Sequence, residues 1–162
     1  MSKTTWIAIS GAIWFIVGMG LLVLGLNFIV LKARMDPMET TSLIARLSPL
    51  AGGREQAGMA LIIIGLIVGF IKGRFVLVKT VQRVVHRIVS LKPPISIGQV
   101  YSKGYVLLIL GMILLGMSMK WLKIPQEIRG TIDVAIGSAL INGAMAYFRS
   151  AFSVNKQLEK QK

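Results

Sequence analysis

The sequence predicts an all-α polytopic membrane protein. Four transmembrane helices form two repeated hairpins, related by a pseudo-two-fold along the membrane normal, and span two is extended into a basic amphipathic cytoplasmic helix. Three observations lead there. Of the 162 residues, 54% are hydrophobic and only 15% are charged, where a soluble domain carries about a quarter charged residues. The apolar residues collect into four blocks, each long enough or nearly so to cross a bilayer, which takes roughly 17–25 residues as helix. The nineteen Lys and Arg, against six Asp and Glu, flank these blocks. Anionic headgroups and the positive-inside rule account for such a net charge of +13, and nucleic acid is not the expected partner.

Span one covers 5–31. Its apolar run from Trp6 to Leu31 exceeds the roughly 7–15 residues of a signal-peptide core, and no A-x-A-like site follows it, so it is expected to be a retained span. The outer loop over 32–56 contains Pro37, Pro49 and Gly52-Gly53. Within it Met38 to Leu50 has the pattern of a short interfacial helix, with Met38, Leu43, Ile44, Leu47 and Leu50 on one side. Span two covers 57–71 and continues without a turn signal into the helix 72–91.

At about 100° per residue, Lys72, Lys79, Arg83, His86, Arg87 and Ser90 share one side of that extension. Leu77, Val78, Val81, Val84, Val85, Ile88, Val89 and Leu91 share the other, with Arg74 the one intruder. Leu77, Val81, Val84, Ile88 and Leu91 keep the 4-3-4-3 spacing of a helix-packing seam. Lys92-Pro93-Pro94 ends the helix, since proline disfavours helix in the residue before it. Span three covers 104–119, a turn containing Trp121 and Pro125 follows, span four covers 131–148, and a basic tail occupies 149–162.

Charge sets the orientation. With both termini and 72–103 on one side, that side holds twelve of the nineteen Lys and Arg, and the other holds seven together with Asp36, Glu39, Glu55 and Glu127. Both termini are therefore expected in the cytoplasm of a cell carrying the protein in its inner membrane. The two halves also look duplicated. A shift of 93 aligns Gly11 with Gly104 and Gly18-Met19 with Gly111-Met112, and a shift of 77 aligns Lys72, Lys79 and Arg83 with Arg149, Lys156 and Lys160.

Small residues mark where helices approach. Gly65, Gly69 and Gly73 make GxxxGxxxG in span two, and Ala135, Ala139 and Gly143 repeat the spacing in span four, which as the least apolar span should lie deepest among its neighbours. They serve either packing within one bundle or a dimer seam. Polar groups within the spans are few: Asn27, Asp133 and Asn142, with Lys120 brought into an outer polar ring by the repeat. That ring, with a Lys120–Asp133 pair, is either a vestibule or simply a helix start, with Thr131 as cap and Asp133 in its first turn. Asn142 is expected to hydrogen-bond between helices. His86, between Arg83 and Arg87, is a candidate pH sensor or simply part of a solvated face.

The absence of cysteine excludes disulfides, thiolate metal sites and cysteine nucleophiles. The single histidine excludes a multi-histidine metal site within one chain. No Ser-His-Asp, paired-carboxylate or H-E-x-x-H arrangement is present, so no enzyme activity and no cofactor are expected. In size the chain resembles small four-span transporters and fluoride channels that work as dimers. It lacks the glutamate the multidrug type needs in its first span, and its third span is Gly- and Met-rich where the fluoride type is Phe- and Thr-rich.

The leading expectation is a non-enzymatic assembly or interaction protein. Its basic helix would lie on anionic lipid headgroups, or pack its seam on a partner helix of a second copy or another membrane protein, or line a pocket for an anionic ligand. Residues Lys72, Lys79, Arg83, His86, Arg87, Arg149, Lys156 and Lys160 would bind. The alternative is a small oligomeric transporter or channel for an anionic or lipid-like solute. A reporter active only in the cytoplasm, fused after Lys162, is expected to be active; activity of an outside-only reporter at that site would overturn the orientation.

Overall fold

A computed structural model describes residues 3–35, 42–91, 111, 114 and 116–159. No strand occurs among them. The helices with described bounds are α1 (Lys3–Met35), α2 (Leu43–Ala51), α3 (Arg54–Lys72), a single π-helical turn (Gly73–Leu77), α4 (Val78–Ser90) and α5 (Gln126–Glu159); residues 111, 114 and 116–121 are helical as well. Three rods are long and apolar enough to cross a membrane: Lys3–Arg34, Arg54–Ser90 and Gln126–Lys156. At about 1.5 Å per residue each is roughly 45–55 Å long, against a hydrocarbon core of about 30 Å, so each extends well past one. Span three, over 104–119, falls largely outside the described residues.

α5 is the most buried of the three rods, and glycine explains how it holds both neighbours. On its α1 side, Gly18 faces Gly137 and Gly25 faces Gly130. A Cβ on Gly137 would fall 2.7 Å from the Gly18 carbonyl oxygen, and one on Gly25 would fall 2.6 Å from that of Gly130. Numbers rise on one helix as they fall on the other, so the pair is antiparallel. The spacing of seven on both helices keeps the small faces together along the seam. Further along, Trp14 packs on the bare Cα of Gly143 and meets Tyr147 edge-on, ring centroids 5.5 Å apart at 73°.

On its other side α5 receives Gly65 and Gly69 of α3 and Gly73 of the π turn. A Cβ on Gly65 would meet the Thr131 carbonyl oxygen at 2.9 Å, one on Gly69 would collide with that of Ala135, and one on Gly73 would meet Ala139 at 2.9 Å. Here both sets of numbers rise together, so α3 and α5 run parallel. Ser138 Oγ adds a polar tie, donating to the Leu66 carbonyl at 3.4 Å.

The π turn keeps one face of the long rod on α5. A stripe spaced by four drifts about 40° per step on an α-helix, so by Val81 the face begun at Gly65 would have swung far round. The turn at Gly73–Leu77, closed by the Val78 N–H on the Gly73 carbonyl, takes up one extra residue and swings the phase back by roughly 100°. Val81, Val84 and Ile88 are then buried with Ile7, Trp14, Leu140, Ala144, Tyr147 and Ala151. A second core at the opposite end joins Ile29, Ile44, Ala57, Leu61 and Val134. The start of α1, all of α4 and the end of α5 therefore share one end of the bundle. Lys3 Nζ donates there to the Val89 carbonyl, a cation on the negative end of α4.

Some boundaries differ from expectation. α5 begins at Gln126, directly after Pro125, so Thr131 is not its cap; the Thr131 hydroxyl instead donates to the Glu127 carbonyl at 2.8 Å. The tail expected over 149–162 is helical to Glu159, since no Gly or Pro interrupts it and Ala151 continues the buried stripe. Of the loop helix expected over Met38 to Leu50, residues 38–41 lie outside the described residues, and α2 covers Leu43–Ala51. It starts at Leu43 because the Ser42 side chain accepts from the Ala45 N–H, and it stops at Gly52, which takes a φ of 87°.

Two substitution tests follow from this packing. Gly137→Ala is expected to destabilise by about 1–3 kcal/mol, because the added methyl meets backbone that cannot yield. Gly20→Ala, with nothing near its Cβ, should be neutral or stabilising. Denaturant titration in detergent reads both. Deleting Val76 should convert the π turn to α and preserve the phase of α4, whereas deleting Ile64 should rotate the glycine stripe off α5 and lower the melting temperature sharply.

Candidate functional site

The charged side chains divide between the two ends. At the end built from α4, Lys79, Arg83, His86 and Arg87 are exposed together with Gln82. The buried Val81, Val84 and Ile88 hold the opposite side of the same helix, so these groups form one continuous shelf. Its open hollow of about 470 Å³ is lined by Lys79, Gln82, Arg83 and His86. Lys72, Arg74, Arg149 and Lys156 are exposed at the same end; Lys160 lies outside the described residues. The packing seam of the basic helix is thus filled by α1 and α5 of its own chain.

Between the π turn, the start of α4 and α5 lies a groove of about 590 Å³. It is lined by Phe70, Arg74, Phe75, Val78, Gln82, Asn142, Met145, Ala146, Arg149 and Ser150. Asn142 reaches it only in part, since its amide donates to the Ser138 carbonyl of its own helix at 3.0 Å. The expected bond between helices is therefore made by Ser138 rather than Asn142. The short side chain of Ser138 sits at the glycine contact, while Asn142 lies one turn on.

The opposite end is a closed polar knot. Glu127, only 1% exposed, accepts the Leu43 N–H on Oε1 at 2.9 Å, while the Ser42 hydroxyl oxygen accepts the Ala45 N–H at 3.1 Å. One carboxylate thus sits at the N-terminal ends of both α2 and α5, whose dipoles favour negative charge. Beside it the Arg129 guanidinium lies 5.2 Å from the Phe28 ring centroid, with its Nε 3.9 Å from Asp133 Oδ2.

The outer polar ring expected from the sequence is not assembled. Asp133 is buried and has Arg129 as its cation; Lys120 is exposed and so is Asn27. Asn27 lies two residues from Gly25, about 200° around α1, so it points away from α5 when Gly25 faces it. The residues missed by pattern reading are Glu127 and Ser42. A Ser followed by an apolar run was the only available signal of the cap, and nothing local marked Glu127 as its partner.

Comparison with family models, curated proteins and solved structures finds no match for this chain. Glu127→Ala should release the first turn of α2, with faster amide exchange at residues 43–47 and a loss of about 1–3 kcal/mol. Glu127→Gln, which retains the accepting oxygen, should show the smaller change.

Proposed function

We propose that this is a non-enzymatic integral membrane assembly or interaction protein that presents its α4 shelf to anionic headgroups. The observation that carries the reading is the filled seam. Because Val81, Val84 and Ile88 are buried in the chain's own bundle, what α4 leaves for another molecule is its cationic side. Each Lys or Arg near an anionic surface contributes about 1 kcal/mol of attraction. The shelf holds Lys79, Arg83 and Arg87, with Lys72, Arg149 and Lys156 at the same end. The glycine triplet, engaged by α5, favours packing within one bundle over a dimer seam.

Four spans in two hairpins belong to the same proposal. α3 and α5 run parallel, so the chain between Ser90 and Gln126 has to travel back from the basic end to the opposite one. The apolar run 104–119 is the segment suited to it, at about 24 Å as a helix. α5 would then be the repeat mate of α3, in keeping with the shift of 77 that pairs Lys72 with Arg149 and Lys79 with Lys156. The shared basic end would face the cytoplasm with both termini.

The test is the triple variant K79Q/R83Q/R87Q, with the protein held in nanodiscs of zwitterionic lipid and anionic vesicles added. Capture of those vesicles should fall by on the order of tenfold or more and weaken with salt in the wild type. Equal capture by wild type and variant would reject the proposal.

A further inference from the structure

Arg74 interrupts the apolar side of its helix, and the structure gives that position a setting. The π turn directs it into the groove between that turn and α5, which Arg149 also lines. Two arginines, one from the π turn and one from α5, thus line one hollow, with Gln82, Ser150 and Asn142 as further polar lining. The remaining wall is Phe70, Phe75, Val78, Met145 and Ala146, of which Phe70, Phe75 and Met145 are exposed. Every carboxylate whose side chain is described, Glu55, Glu127 and Asp133, belongs to the opposite end of the bundle. None of these three lines the groove.

We propose that the groove is a binding site for one anionic phospholipid, its phosphate between Arg74 and Arg149 and its acyl chain along Phe70, Phe75 and Met145. Guanidinium pairs favour phosphate through paired N–H donors. The apolar half of the lining selects a lipid over a free phosphate ester. A volume of about 590 Å³ lies within the roughly 300–1,000 Å³ of small-molecule sites. That is room for a headgroup and the first part of a chain, with the rest running along the outside of the bundle. The site deepens the headgroup-binding reading of the α4 shelf and rests on it. It is separate from the shelf in its residues, apart from Gln82 at their border.

The experiment is native mass spectrometry of the full chain in detergent, titrated with phosphatidylglycerol and with phosphatidylcholine. R74Q/R149Q should lose affinity for the first phosphatidylglycerol by about tenfold, as expected for losing charge-assisted pairs, with phosphatidylcholine binding unchanged. Met145→Trp, which fills the groove and leaves both arginines in place, should show the same loss. Unchanged phosphatidylglycerol binding in either variant would overturn the site, as would glycerol phosphate displacing the lipid at equal concentration. Unaltered phosphatidylglycerol affinity in R74Q/R149Q, with vesicle capture still lost in K79Q/R83Q/R87Q, would overturn the groove alone. Loss of neither would overturn both readings.

Discussion

The close approach of α5 to α1 and α3 is the constraint on which the rest of the bundle depends. Apolar side chains gain little by leaving lipid for another helix, so membrane helices associate through backbone proximity, dispersion and a few polar ties. Here α5 offers Gly130 and Gly137 to α1, and the carbonyls of Thr131 and Ala135 with Ala139 to α3. Two seams on one helix need small residues on two sides. That is why α5 is the least apolar rod and yet the most buried. The opposite directions of the two neighbours follow from the same contacts, and they determine which ends of the molecule meet.

Once α3 is locked on α5 through Gly73, the rod beyond it has a choice of phase, and the π turn makes it. Without the turn, α4 would carry its valines and Ile88 away from Tyr147 and Ala151. With it, the apolar side closes over the end of α1 and α5, and Lys79, Arg83 and Arg87 face outward. Arg74 lies inside the turn itself, where the extra residue rotates it out of sequence with its neighbours. The oddity of one arginine on an apolar face and the presence of a π turn have a single cause.

Much of this was legible in the sequence, and the remainder was hidden for definite reasons. Helical class, the two-faced character of α4 and the small-residue stripes of α3 and α5 follow from periodicity, which is a local property. The α1–α5 seam was not read from the sequence: Gly11, Gly18 and Gly25 recur every seven residues, but such a stripe names no partner until Gly130 and Gly137 are seen to face it. Phase within the long rod could not be read, because a π turn has no strong composition and every later residue inherits its rotation. Gly143 was grouped with Ala135 and Ala139 by spacing, yet it lies where the face turns towards α1 and accepts Trp14. Glu127 looked like one more loop acid, because its partner is the backbone of a helix far away in sequence.

The two sides of the bundle disagree about depth, and that disagreement bears on what the basic end touches. Trp14 and Leu77 both approach Gly143, so they share a level. There α1 exposes Ile13, Phe15, Ile16 and Val17, while the other rod has already passed Lys72 and Arg74 and is about to present Lys79. A flat hydrocarbon boundary that covers the α1 side would submerge the α4 side, and burying a charged side chain in hydrocarbon is costly, about 2.5–3.5 kcal/mol at the bilayer centre on insertion scales. One drawn to spare the α4 side would strand the isoleucines of α1 in water. The conflict is relieved when headgroups rise along the α4 side, which is where the groove holding Arg74 and Arg149 opens. In the proposed site a lipid phosphate would supply the charge that the arginines lack, while its chain would continue the apolar belt of α1 around the bundle.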